Sequence, residues 1–234
     1  MIKRLLAPLV RAISKRANQD LLGKYTDSYD VMTFAKIDAA LDSGRYYSSK
    51  MSLARNFLND LDVLTYAVGH KLDDGLILEF GVASGRTINH IASMTEETVY
   101  GFDVFTGLPE SWRTGFEAGR FATPPPRVKE NIILVEGLFE ETIDNFLMNN
   151  ANQKKYISLL HIDCDLYSST KTIFDKLDFL ITKGTIIIFD EYFNYPGWRW
   201  HEFKAFQEFI SENDMSYKYI GFVSRHQQVC IQIT

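Results

Sequence analysis

From about residue 50 onward the apolar positions of this chain alternate between a helical and a strand period. Spacings of three and four put Leu53, Phe57, Leu61, Leu64 and Val68 on one side of a helix, which the turn Asp73-Asp74-Gly75 ends. The short apolar run 76–79 then reads as a first strand, followed by strand-like runs at 99–103, 132–136, 156–163 and 185–190. Helical stretches at 86–94, 140–148 and 169–181 separate them. Strands that alternate with helices imply right-handed crossovers and a parallel sheet covered on both faces. The end of the chain differs. After a helix near 202–210, the runs 217–223 and 228–233 are separated by only Ser224, Arg225, His226 and Gln227, too short for anything but an antiparallel hairpin. The expected fold class is α/β: a seven-stranded, Rossmann-like sheet whose last strand is antiparallel, with helices on both faces.

Two stretches are too irregular to be core elements. Residues 105–129 carry Gly107, Gly115, Gly119 and Pro124-Pro125-Pro126, and residues 192–200 are rich in aromatic side chains. Both follow the carboxyl ends of strands, where α/β proteins bind ligands, so both are expected to wall a substrate site. Trp112, Tyr192, Tyr195, Trp198 and Trp200 are candidates to shape an aromatic or sugar-binding pocket there, or to serve as core.

The chain's 234 residues fit one globular domain, expected at 51–234, preceded by a helical extension at 1–50. Cys164 and Cys230 are too few and too far apart for a disulfide framework or an ordinary zinc site, and read as reduced, buried packing. With neither an 18-residue apolar run nor a secretory signal, a cytoplasmic location is expected. The net charge of −5 conceals an asymmetry, because Lys3, Arg4, Arg11, Lys15 and Arg16 all precede the first acid, Asp20. Ile2, Leu5, Leu6, Leu9, Val10 and Ile13 recur at helical spacing in the same segment. A terminal helix packed on its own domain or on a second copy in a homodimer is the favoured reading, ahead of contact with an anionic membrane surface. The remaining acidic body, with no basic aromatic stripe, argues against nucleic acid as a partner and leaves a small-molecule acceptor.

The chemistry concentrates at strand ends. In LEFGVASGRT, residues 78–87, Glu79 is followed by Gly81 and Gly85, a strand-turn-helix in which the backbone can approach a ligand closely. The dinucleotide fingerprint is not met, since Ala83 and Arg86 occupy the places of its second and third glycines. Asp103 ends the second strand, where an acid can accept hydrogen bonds from ribose hydroxyls. The strings HIDCDLYSS and IIIFDEYF bring Asp163, Asp165, Asp190 and Glu191 to one edge of the sheet. Crowded carboxylates repel one another, so Asp163, Asp190 and Glu191 are expected to hold an oxygen-seeking cation such as Mg²⁺, while Asp165 is expected to cap a helix. Among the histidines, His161 and His201 are rival candidates for a catalytic base, and His70, His90 and His226 have no assigned task.

Taken in order, LEFGVASGRT, YGFDVFTGLPESW, LVEGLFEETI, HIDCDLYSSTK and GTIIIFDEY cover residues 78–192 and resemble the class I S-adenosylmethionine-dependent methyltransferases, and among them the macrocin O-methyltransferase family. RYYSSKMSLAR upstream is similar to that family's helical entrance to the cofactor. The resemblance implies the strand order 3-2-1-4-5-7-6 and the cofactor S-adenosylmethionine. It implies that Glu79, Gly81 and Gly85 form the turn under the methionine arm, that Asp103 holds the ribose, and that Phe105, Gly137, Leu138 and Phe139 line the adenine slot. Asp163, Asp190 and Glu191 fall where the family places its metal ligands, although the family has Asp where this chain has Glu191. The implied activity is methyl transfer to a hydroxyl of a sugar or small secondary metabolite, assisted by a divalent metal. Asp163, between cofactor and metal, or His201 would act on the proton. Three alternatives stay open: a metal-independent methyltransferase acting on nitrogen or oxygen, a cofactor-binding subunit without catalysis, and, weakest, a nicotinamide oxidoreductase.

Overall fold

A computed structural model describes residues 30–150 and 156–234. The basic, amphipathic start of the chain, with the membrane and self-association readings attached to it, lies outside the described residues. Helix α1 (Val31–Tyr46) begins at Asp30, whose side chain accepts a hydrogen bond from Met32 N, and runs into a single π-helical turn at Tyr47–Met51. It is fastened to the body by Asp42 with Arg199 (2.8 Å), by Asn194 N donating to Ser43 Oγ (2.9 Å) and by the Tyr46 and Tyr219 hydroxyls (2.5 Å).

Eight strands form one sheet: β1 (Arg55–Phe57), β2 (Leu76–Phe80), β3 (Val99–Asp103), β4 (Ile132–Glu136), β5 (Ile157–Ile162), β6 (Ile186–Phe189), β7 (Tyr217–Val223) and β8 (Val229–Ile233). Their spatial order is β1-β7-β8-β6-β5-β2-β3-β4. Only β8 is antiparallel to its neighbours, β6 and β7. The order expected from sequence is present from β2 to β8, and β1 adds an eighth strand at the edge, parallel to β7.

That edge strand corrects the expected helix through Leu53 and Phe57. Helix α2 spans only Asp60–Val68, started by Asn59, whose side chain accepts from Asp62 N at 2.9 Å. Phe57 belongs to β1, and Leu53 is 99% exposed. The other helices are α3 (Arg86–Ala92), α4 (Phe139–Asn150), α5 (Tyr167–Leu177) and α6 (Glu202–Glu212).

The central strands explain why the sheet holds. Every residue of β2, β5 and β6 is buried, as parallel strands covered on both faces require. Side chains alternate between two cores. Leu76, Leu78 and Phe80 face the layer of α4, α5 and α6 with Phe146, Phe174 and Phe206, while Ile77 faces α2 and α3 with Leu64 and Ile88. Glu79 and His161 break the apolar pattern. They are register partners on β2 and β5, completely or almost completely buried, and His161 Nδ1 lies 2.8 Å from Glu79 Oε2. Thr87 donates to the other oxygen, Oε1, at 3.0 Å, so the buried carboxylate is bonded from both sides.

Candidate active site

The carboxyl ends of β2 to β6 open on a cavity of about 550 Å³. At its centre is the turn after β2. Gly81 has φ +94°, and a Cβ built there would fall 1.7 Å from the backbone oxygen of Asp163, so only glycine lets β2 and β5 end side by side. Asp103 then fixes the turn's shape. Its Oδ2 accepts from Val82 N and Ala83 N, both at 2.8 Å, and its Oδ1 accepts from Phe105 N at 2.7 Å. Two N–H groups of the turn, those of Val82 and Ala83, are thus taken by Asp103 itself. Gly137 N donates to the Asp103 carbonyl at 3.0 Å and carries the chain across from β4.

Gly81, Asp103, Gly137, Leu138, Phe139, Asp163, Asp190 and Glu191 all line this cavity. Glu79, Gly85, Phe105 and His201 are not among its lining residues. Glu79 lies behind the turn with His161 and Thr87. Gly85 is the left-handed residue before α3, with φ +76°. Phe105 has φ +56°, which sends its ring into the core shared with Val82 and Ile88. His201 is half-buried, its ring centroid 5.9 Å from Trp112 and 6.0 Å from Tyr195; burial and the nearby Arg113 charge hold its pKa below the ordinary imidazole value.

The two irregular stretches do meet, through Trp112 and Tyr195, with centroids 5.6 Å apart. The Arg113 guanidinium lies 3.7 Å from the Trp112 centroid and 4.6 Å from that of Tyr195. Tyr192 and Trp198 are buried core residues, Trp200 is 67% exposed, and none of the five aromatic candidates lines the cavity.

Carboxyl groups dominate the far wall. His161, Asp163 and Asp190 each bring one ligand-type atom within 4.8 Å of the others. Glu191 is not in that group among the described residues; its Oε2 is buried without a hydrogen-bond partner, and its backbone N–H donates to Glu202 Oε2 at 3.1 Å. Burial, then the charges of Asp190 and Asp165, push the Asp163 carboxyl well above the usual range. Burial raises Asp165 to about 7, against the pull of Arg113. For His161, burial works against the charged form, but the bond to Glu79 outweighs it and the imidazole is raised. His161 is the residue that sequence reasoning undervalued. The signal was present: Glu79 precedes Gly81 by two and His161 precedes Asp163 by two, which puts both on one face of adjacent parallel strands.

Such a site can seat an elongated ligand across the turn, bind hydroxyls at Asp103 and gather positive charge at Asp163 and Asp190. Residues 78–192 match the family described as Methyltransferase domain. No curated protein matches the chain by sequence. Among solved structures, the calicheamicin methyltransferase CalS11 is similar at 26% identity, over 74% of this chain and 76% of that one, with a TM-score of 0.58. The O-methyltransferase NovP is similar in fold at 20% identity, over 74% of this chain and 79% of that one, with a TM-score of 0.57. Among the described residues, no helix is long and apolar enough to cross a membrane. The matched span begins on β2 and ends just past β6, and these residues accordingly form a methyltransferase domain of the class I S-adenosylmethionine-dependent kind.

Proposed function

We propose that this enzyme methylates a hydroxyl group of a sugar or a sugar-bearing secondary metabolite with the help of a divalent cation. The observation that carries the reading is the convergence of Asp163 and Asp190, both on the cavity wall, with the buried His161. The acceptor class is supported by CalS11, described in a second structure as a TDP-rhamnose 3'-O-methyltransferase and similar to this chain at 24% identity with a TM-score of 0.52.

The cavity fits the cofactor on structural grounds. The Gly81 turn lets the backbone approach closely, and Asp103 and the apolar Leu138 and Phe139 are among the residues lining the cavity. In this reading Gly81 and Gly85 shape the bed of the methionine arm, Asp103 holds the ribose, and Gly137, Leu138 and Phe139 receive the adenine. Glu79 acts from behind, by holding His161 and Thr87. When bound, S-adenosylmethionine supplies an already activated methyl group.

The donor set also fits a cation. One imidazole and two carboxylates suit Mg²⁺ or Mn²⁺, with the imidazole in favour of Mn²⁺. The cation would lower the pKa of an acceptor hydroxyl. Asp163 and Asp190 would hold the acceptor oxygen's side of the cavity, and Asp163, whose burial favours proton uptake, would take the hydroxyl proton. Glu191 and Asp165 would support this wall without binding the cation. His201 lies off the cavity and has no part in the step. Positioning in a closed site can supply about 7–11 kcal/mol of such a reaction's barrier.

The test is transfer of labelled methyl from the cofactor to a panel of sugars, nucleotide sugars and hydroxylated metabolites, with and without EDTA. The expected result is transfer to a hydroxyl that falls at least about a hundredfold on chelation and returns with Mg²⁺ or Mn²⁺. Transfer unaffected by EDTA, or directed to an amine, would contradict the proposal and favour the metal-independent alternative.

A further inference from the structure

Among the described residues, Arg86 is the one side chain with a fixed positive charge that lines the cavity, and it faces a wall of carboxyl groups. It follows Gly85 directly, so it stands beside the Gly81–Ser84 turn, and its charge reaches both Asp190 and Asp163. Asp60, from α2 and outside the cavity, forms an ion pair with it at Nη2. The side chain is still 56% exposed. A guanidinium has five N–H donors in a planar fork, so one ion pair leaves donors for a second carboxylate.

We infer that Arg86 binds the carboxylate of the cofactor's methionine arm and thereby distinguishes the complete cofactor from adenosine fragments that lack the amino acid. The inference rests on the reading that the cofactor lies in this cavity with its ribose at Asp103. The adenosine half of the cofactor is uncharged, and the amino acid end carries an ammonium and a carboxylate. The carboxyl groups of the wall, Asp190 among them, suit the ammonium but repel the carboxylate. With no lysine or histidine on the cavity wall among the described residues, Arg86 is the group there that can neutralise that carboxylate. Asp60 contributes by holding the guanidinium in place before the ligand arrives, which lowers the ordering cost of binding.

The test compares S-adenosylhomocysteine with 5'-methylthioadenosine, which keeps the nucleoside and sulfur but lacks the amino acid. Dissociation constants are measured by calorimetry for the wild-type protein, Arg86→Gln and Arg86→Lys. Arg86→Gln is expected to weaken S-adenosylhomocysteine at least about tenfold, the usual scale for a charge-assisted hydrogen bond, and to leave methylthioadenosine within about twofold. Arg86→Lys should recover part of the loss. Retained methylthioadenosine binding also shows that the variant is folded. Equal weakening of both ligands, or no change in either, would overturn the inference. Failure of the wild-type protein to bind either ligand is a different result, which would overturn the placement of the cofactor and the inference with it.

Discussion

Asp163→Ala is expected to lose at least about a thousandfold in turnover while S-adenosylhomocysteine affinity stays within a few fold. Two roles vanish together in this variant: a ligand-type oxygen of the group shared with His161 and Asp190, and the carboxyl proposed to take the acceptor's proton. Cofactor affinity should survive, because the turn is held by Asp103 through Val82 N, Ala83 N and Phe105 N. Stability should hold or rise. The charges of Asp190, Asp165, Glu79 and Glu202, all of one sign, act on Asp163, so removing it relieves repulsion. Steady-state kinetics on the acceptor found by the methyl-transfer panel, together with thermal melting, would separate these effects. Full turnover in Asp163→Ala would end the assignment.

Gly81→Ala should have the opposite signature, with the fold itself failing. The added methyl would sit 1.7 Å from the Asp163 carbonyl oxygen, a backbone atom that cannot swing aside. It would also be held at φ +94°, where an L side chain is strained. Overpacking of about 1–3 kcal/mol and left-handed strain of about 1–2 kcal/mol add to a large fraction of a domain's stability. Urea unfolding should show a loss of more than about 3 kcal/mol, or no folded protein. A variant within about 1 kcal/mol of wild type that still binds the cofactor would show that β2 and β5 do not need this close approach.

The sequence made the strand ends legible because each carries its own local signal. Apolar runs stop at Glu79, Asp103, Asp163 and Asp190, and the four residues between the last two runs force an antiparallel hairpin. Those signals marked the strands and the closing hairpin, while the order from β2 to β8 was implied by the resemblance to the methyltransferases. What they missed depends on partners far away in the chain. The edge strand Arg55–Phe57 exists because Tyr217–Val223 offers it a ladder, and the spacing of Leu53, Phe57 and Leu61 imitates a helix by coincidence. Asn59 with Asp62 was a local clue to the true start of α2.

In the site, residue types were easier to read than directions. Asp163 and Asp190 were evident as strand-end acids, but which third group joins them depends on register and rotamer. The geometry groups His161 with them, held through Glu79 on the neighbouring strand, whereas the expected ligand Glu191 is not in that group among the described residues. Phe105 and His201 are not among the residues lining the cavity, and both lie in irregular stretches whose backbone angles, such as φ +56° at Phe105, no periodicity reports. Arg86 was visible in the sequence only as a departure from a glycine fingerprint, and its value appears when the other charges of the cavity are placed around it.

The most direct test of the account is a calorimetric titration of the protein with S-adenosylhomocysteine, run with NAD as the control ligand. The cavity built on Gly81, Asp103 and Leu138 predicts one site with a dissociation constant in the micromolar range, about −8 kcal/mol, and no heat from NAD. Uptake of NAD, with no binding of S-adenosylhomocysteine, would contradict the reading of the glycine turn and every role assigned around it.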